Sequence, residues 1–147
     1  MTKIKMPKSV LFVCNMNQIR SPMAEFLTQD LFGDKIYAQS AGIYSGDEDG
    51  FMHAVMQERG INASCHTPET LEQLEDSFVD LVITLTSQAH DGTVDFFKNQ
   101  PVEIEFWETE NPSVAVGKRD TVLAAYRKTR EQLEKRIRER FGFFKVS

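Results

Sequence analysis

Short apolar runs alternate along this chain with stretches in which apolar residues return every three or four positions. Val10 to Val13 is continuous and rich in Val, Leu and Phe, which predicts a strand buried on both faces. Met23, Phe26, Leu27 and Leu31 then share one helical face, with Pro22 in the first turn. Ile36 to Ser40 reads as a second strand, and Phe51 to Arg59 as a helix stopped by Gly60. Thr67-Pro68-Glu69 has the form of a helix start, with Thr67 as cap. Val79 to Leu85 is a third strand, Ser87 caps a helix running toward Lys98, and Val102 to Trp107 is the last strand. A long helix follows from about Asp120 to Arg140, with Val122, Tyr126, Leu133 and Ile137 on its inner face. This alternation predicts an α/β fold, a parallel sheet lying between helices.

The chemistry concentrates where the first strand meets the first helix. Cys14 and Arg20 bracket the loop Asn15-Met16-Asn17-Gln18-Ile19, and Ser21 and Pro22 follow. Such a loop presents backbone N–H groups at a helix N-terminus, a cradle for a tetrahedral oxyanion. Arg20 adds a planar, permanently charged fork that matches two phosphate oxygens. The same field favours the thiolate of Cys14. In open α/β sheets this position, at the carboxyl end of a strand, is where ligands bind.

With these residues in place, the chain resembles the low-molecular-weight protein tyrosine phosphatase family, a fold shared with thioredoxin-coupled arsenate reductases. The Cys-x5-Arg-Ser signature reads here Cys14 to Ser21. The likeness continues through Ser40-Ala41-Gly42, His66 with Thr67-Pro68, and Trp107 with Asn111-Pro112. It implies a three-layer sandwich with a four-stranded parallel sheet flanked by helices, the phosphatase loop after the first strand, and one domain over residues 1–147. It also implies a phosphomonoester hydrolase working through a cysteinyl-phosphate, without metal or organic cofactor. In that scheme Cys14 is the nucleophile, Arg20 grips phosphate and Ser21 stabilises the thiolate. Residues Cys14, Asn15, Met16, Asn17, Gln18, Ile19 and Arg20 form the cradle. Asn17 holds the loop and bonds Ser40. Asn also tolerates the unusual backbone angles such a loop needs.

Three departures bear on activity. The family's general acid is an Asp before Pro, and the register of Trp107 and Pro112 puts Asn111 there. An amide cannot protonate a departing alkoxide, and general acid catalysis is worth roughly 10²–10⁴-fold. Glu110 is adjacent and could substitute after a one-residue shift; Glu108 and Asp120 are weaker candidates. Ser113 and Val114 stand where aromatic residues usually flank a phenyl ring, leaving Tyr44 as a candidate wall and Gln18 facing the site. Finally, thioredoxin-coupled reductases of this fold use two further cysteines after the third strand. This chain has only Cys65 besides Cys14, and none between Thr84 and Lys98. The alternatives to hydrolysis are therefore arsenate reduction with an external thiol, or a catalytically weak phosphate-binding protein. Cys65 reads as a semi-buried structural residue, and Cys65 with His66 is too small a set for zinc. His53, His66 and His90 read as structural.

Composition narrows the partners. No run of about 18 apolar residues is present, so no membrane span is expected. The N-terminal residues have no apolar signal core, and a reactive thiol needs a reducing compartment, which points to the cytoplasm. From Lys118 onward there are ten Lys or Arg against four Asp or Glu, leaving seven basic and eighteen acidic residues before it. The acidic body disfavours nucleic acid. On the basic helix, Glu131 with Lys135 and Glu134 with Arg138 have the spacing of solvated ion pairs. Expected ligands are a phosphorylated protein or small phosphomonoester, with inorganic phosphate, sulfate or arsenate as analogues.

Overall fold

The computed structural model describes residues 6–74 and 78–142. Strands β1 (Ser9–Cys14), β2 (Tyr37–Gly42), β3 (Leu81–Thr84) and β4 (Glu103–Phe106) form one parallel sheet in the order β2-β1-β3-β4. Helices α1 (Arg20–Phe32), α2 (Gly50–Gln57), α3 (Ser87–Phe96) and α4 (Arg119–Phe141) complete the expected architecture. β1 lies between β2 and β3, with Cys14 opposite Gly42 at the carboxyl end of the ladder.

Strand alternation divides the core into two layers. Val10, Phe12, Leu81 and Ile83 pack with Met23 and Leu27 of α1, Met52 and Val55 of α2, and Tyr126, Leu133 and Ile137 of α4. Leu11, Val13 and Val82 face the other way, onto Ala89 of α3, Phe97, Leu71 and Val79. Because β1 and β3 are covered on both faces, their sequences are uninterrupted apolar runs rather than alternating ones.

The predicted helix at Thr67 does not form. Gly42 N donates to Glu69 O, Leu71 N donates to Gly42 O, and Thr70 makes a parallel bridge with Gly42; the helical turn among the described residues that follow is 3₁₀, at Glu72–Leu74. The local cap signal loses because the backbone of 69–71 pairs with the sheet edge instead. The cap of α3 is Thr86, one residue before the predicted Ser87, and its Oγ1 accepts from Ala89 N. α2 begins earlier than expected because Asp49 Oδ1 accepts from Met52 N, while Gly60 at φ 75° turns the chain away from the end of the helix.

Polar contacts fasten α4 to α2. Arg127 and Arg130 both bond Glu58, and Arg59 pairs with Glu134, which also takes the predicted Arg138 partner. The expected Glu131–Lys135 pair gives way to a contact between Glu131 and Arg130 at 3.5 Å. Hydrogen bonds from Arg127, reinforced by Arg130, hold the Glu58 carboxyl down at about 2. Tyr126 OH donates to Asp49 Oδ2 at 2.9 Å, so the residue that caps α2 also anchors α4. Among the described residues no helix is long and apolar enough to cross a membrane.

Candidate active site

The loop between β1 and α1 is shaped by what happens to its carbonyl groups. Cys14 O accepts from Ile43 N, Asn15 O from Tyr44 N, and Met16 O from Gly46 N. Asn17 O accepts from His66 Nε2 at 3.0 Å, so that nitrogen carries the imidazole proton. In a trans peptide the N–H points opposite to the C=O. Turning four successive carbonyls outward therefore turns the N–H groups of Asn15, Met16, Asn17 and Gln18 to the concave side. None of these donates to another backbone group among the described residues. Ile19 precedes α1 without a side-chain cap, so the first turn of the helix adds its own free donors.

Two residues make this turn possible. Asn17 sits at φ 54°, the left-handed region that Asn tolerates better than most side chains. Gly42 gives the loop room: a Cβ there would come within 2.8 Å of Asn17 N and 2.9 Å of Met16 C, and would meet Tyr44 O more closely still. Ser40-Ala41-Gly42 is thus a platform on which the loop backbone lies.

Beneath the loop runs a buried polar network. Asn17 Nδ2 donates to Ser21 Oγ at 2.8 Å and to Ser40 Oγ at 3.0 Å, while Asn17 Oδ1 accepts from Glu69 N at 2.9 Å. Both N–H donors and the oxygen of this fully buried amide are engaged, and Ser40 Oγ donates in turn to Glu25. Burial pushes the Glu25 carboxyl up; the Ser40 hydrogen bond opposes this and nearby Glu69 adds to it. Ser21 Oγ lies 2.9 Å from Cys14 Sγ and 3.3 Å from Ala41 O. Having one proton, it gives it to the sulfur whenever Cys14 is a thiolate, the nearer and charged acceptor.

Arg20 joins the loop to the segment after β4. Its Nη1 donates to Thr109 O at 3.1 Å. Burial pulls the guanidinium below its ordinary value and Cys14 pushes it back up, yet an arginine stays charged. The segment is itself pinned to the sheet, Trp107 N to Thr84 O and Thr109 N to Leu85 O. On the far side Asn15 Oδ1 accepts from Thr86 Oγ1 at 2.6 Å, so the α3 cap steadies the loop as well.

Cys14, Asn15, Met16, Gln18, Ile19, Arg20, Asn111 and Ser113 line one cavity of about 90 Å³. Sites that enclose drug-sized molecules run to roughly 300–1,000 Å³, so this one suits a small group. Glu110 does not line it. Together with Glu108, Lys135 and Arg136 it borders a larger cavity of about 540 Å³ between the Trp107–Asn111 segment and α4. The larger space is the poorer candidate, since it contains neither the thiol nor the loop. Gln18 lines the cavity, and its side chain packs against Gly46. Tyr44 is exposed and absent from the cavity wall.

Cys65 corrects the sequence reading: it is exposed rather than semi-buried, on a loop where its sulfur reaches Asn62 O at 3.8 Å. It borders a separate pocket with Glu25, Ser40 and His66. His66 was the residue sequence reasoning undervalued, because its link to Asn17 spans 49 positions and leaves no local trace. Burial pulls its imidazole below the ordinary value, opposed by the Asn17 hydrogen bond. Among the described residues no three His, Cys, Asp or Glu converge as a metal site.

Known proteins place this geometry. An arsenate reductase of Halalkalibacterium halodurans is 32% identical, over 89% of this chain and 93% of the relative. An arsenate reductase in the phosphate binding state is 29% identical, with a TM-score of 0.74 over 95% of this chain and 99% of that one. A low molecular weight protein tyrosine phosphatase from T. tengcongensis is 27% identical, with a TM-score of 0.71 over 88% and 94%. The family described as "Low molecular weight phosphotyrosine protein phosphatase" matches residues 9–142, and the chain belongs to it, a family of cysteine-based enzymes that includes both phosphatases and arsenate reductases.

Proposed function

We propose that this chain reduces arsenate with an external thiol, Cys14 forming the covalent bond to arsenic. The reading changes the balance drawn from the sequence, where phosphomonoester hydrolysis stood first: relatives named arsenate reductase favour the alternative. The observation that carries it is Asn111 on the wall of so small a cavity. An ester's leaving oxygen bears carbon and needs a proton from the enzyme. Arsenate at neutral pH carries protons of its own, and its leaving oxygen departs as water. Loss of the acid therefore handicaps the hydrolysis of esters far more than it handicaps attack on the free oxyanion.

The Cys14 thiolate attacks arsenic and forms an S–As bond, while one As–O bond breaks and the oxygen leaves as water. Loop N–H groups and Arg20 hold the charge on the remaining oxygens. An external thiolate then attacks Cys14 Sγ. The S–As electron pair passes to arsenic, releasing arsenite and leaving a mixed disulfide. A second external thiol exchanges with that disulfide and restores Cys14. In sum, arsenic acid and two thiols give arsenous acid, one disulfide and one water. An internal relay lacks a carrier, since the only other cysteine, Cys65, lies outside the cavity.

The deciding experiment follows arsenite formation from arsenate with glutathione and with dithiothreitol, using Cys14→Ser as control. Thiol-dependent arsenite that disappears in the variant supports the reading. No arsenite, together with Cys14-dependent hydrolysis of both p-nitrophenyl phosphate and phenyl phosphate, would return the chain to the phosphatases. Phosphate binding without turnover of any kind would make it a binding protein.

A further inference from the structure

The two ends of the Asn111 amide have different fates. Oδ1 accepts from Ser113 N at 3.0 Å and from Ser113 Oγ at 2.7 Å. A backbone N–H can only donate, so the atom facing it is the oxygen, and the contact itself fixes which way the amide points. Nδ2 meets no acceptor among the described residues, although Asn111 lines the cavity of Cys14 and Arg20. The amide's free end is a neutral group with two protons to donate, on a residue held in place by a turn that begins with Pro112.

The geometry points to Asn111 as a specificity-determining residue: its Nδ2 donates to the oxygen of a bound tetrahedral oxyanion that the loop and Arg20 leave outermost, so the site prefers free inorganic oxyanions to phosphate esters. The inference rests on reading the cavity as an oxyanion site, but not on arsenic chemistry. An aspartate at 111 would keep the Ser113 contacts, since a carboxylate oxygen accepts them equally well. Its other oxygen would face a dianion with like charge unless protonated. An ester turns that logic round. Its outermost oxygen bears carbon, accepts a hydrogen bond poorly, and needs a full proton as it leaves, which an aspartic acid supplies and an amide does not.

The test is calorimetric titration with inorganic phosphate, together with phenyl phosphate hydrolysis, for the wild type, Asn111→Asp and Asn111→Ala. Asn111→Ala is expected to bind phosphate about 10–100-fold more weakly at pH 7.5, the worth of one hydrogen bond to a charged acceptor. Asn111→Asp is expected to bind more weakly at that pH, with the deficit shrinking as pH falls and the carboxylate protonates. It should gain about 10²-fold on phenyl phosphate. The aspartate variant retains the turn, so it remains informative if the alanine variant misfolds. Phosphate affinity within twofold of the wild type in the folded variants overturns the inference, as does an aspartate variant no faster than wild type on phenyl phosphate. A wild type that binds no phosphate overturns both this inference and the oxyanion reading. The expected Asn111 effects without arsenite formation support this inference and remove the arsenate reading alone.

Discussion

Two segments face the same small cavity, and they are built in opposite ways. The Cys14–Ser21 loop has its carbonyls and supporting side chains committed and its N–H groups left free: four successive carbonyls go to Ile43, Tyr44, Gly46 and His66, and side chains to Ser40, Thr86 and one another. The segment from Trp107 to Val116 is pinned by its first residues and by Arg20, then runs out to Val114 and Val116, 74% and 85% exposed. In the proposed reading, the first segment holds an oxyanion and the second decides what happens to it. Binding needs donors preorganised to within a fraction of an ångström, so its supporting shell is dense. Proton supply needs one residue at one place, and replacing it leaves the fold intact. A family can therefore keep its cradle while changing its chemistry, and the proposed reading gives this chain the cradle together with an amide, Asn111, at the acid position.

The comparison can be broken most sharply at the cradle. Arg20→Lys keeps the charge but loses the planar fork and the Thr109 tether; Cys14-dependent turnover should fall about 10²–10³-fold, measured as kcat with arsenate or p-nitrophenyl phosphate. Asn17→Ala strands Ser21, Ser40 and Glu69 N and puts a strained φ on alanine. Denaturant unfolding should show a loss of about 2–4 kcal/mol, and Asn17→Gly should recover only the backbone share. Away from the cavity, Glu58 supplies an acid limb. Its folded value of about 2 lies below the ordinary 4.5, so its contribution is fully present above pH 4.5 and is lost as pH falls toward 2. Thermal melts of wild type and Glu58→Gln should differ most above pH 4.5 and converge near pH 2. The smallest effect is expected at the second segment's surface: Glu110→Gln should change turnover less than about twofold, because Glu110 borders the other cavity. A tenfold loss there would bring Glu110 into the chemistry.

What could be read in advance follows from how local each signal is. β1 and β3 declared themselves as apolar runs, and Cys14, Arg20 and Ser21 lie within eight residues at a strand-to-helix junction. The false helix at Thr67 came from trusting a cap and a proline where partners distant in sequence win: Gly42 and Asn17 claim the backbone of 69–71. Gly42 itself, read only as part of a family motif, acquires a physical reason once the loop is seen lying on it.

By itself, then, the sequence determined the α/β class, the position of the thiol and arginine at a helix start, and the amide where an acid is expected. The first two depend on hydrophobic period, turn chemistry and neighbours in the chain, and the third on the register that the family resemblance implies. The tertiary structure alone decided that His66 and Glu25 stand behind the loop, that Glu110 borders a different cavity from Asn111, and that the site is as small as it is. The physical reason is common to all three. Buried hydrogen bonds pair groups dozens of residues apart, and which groups meet is settled only when the sheet and helices have packed.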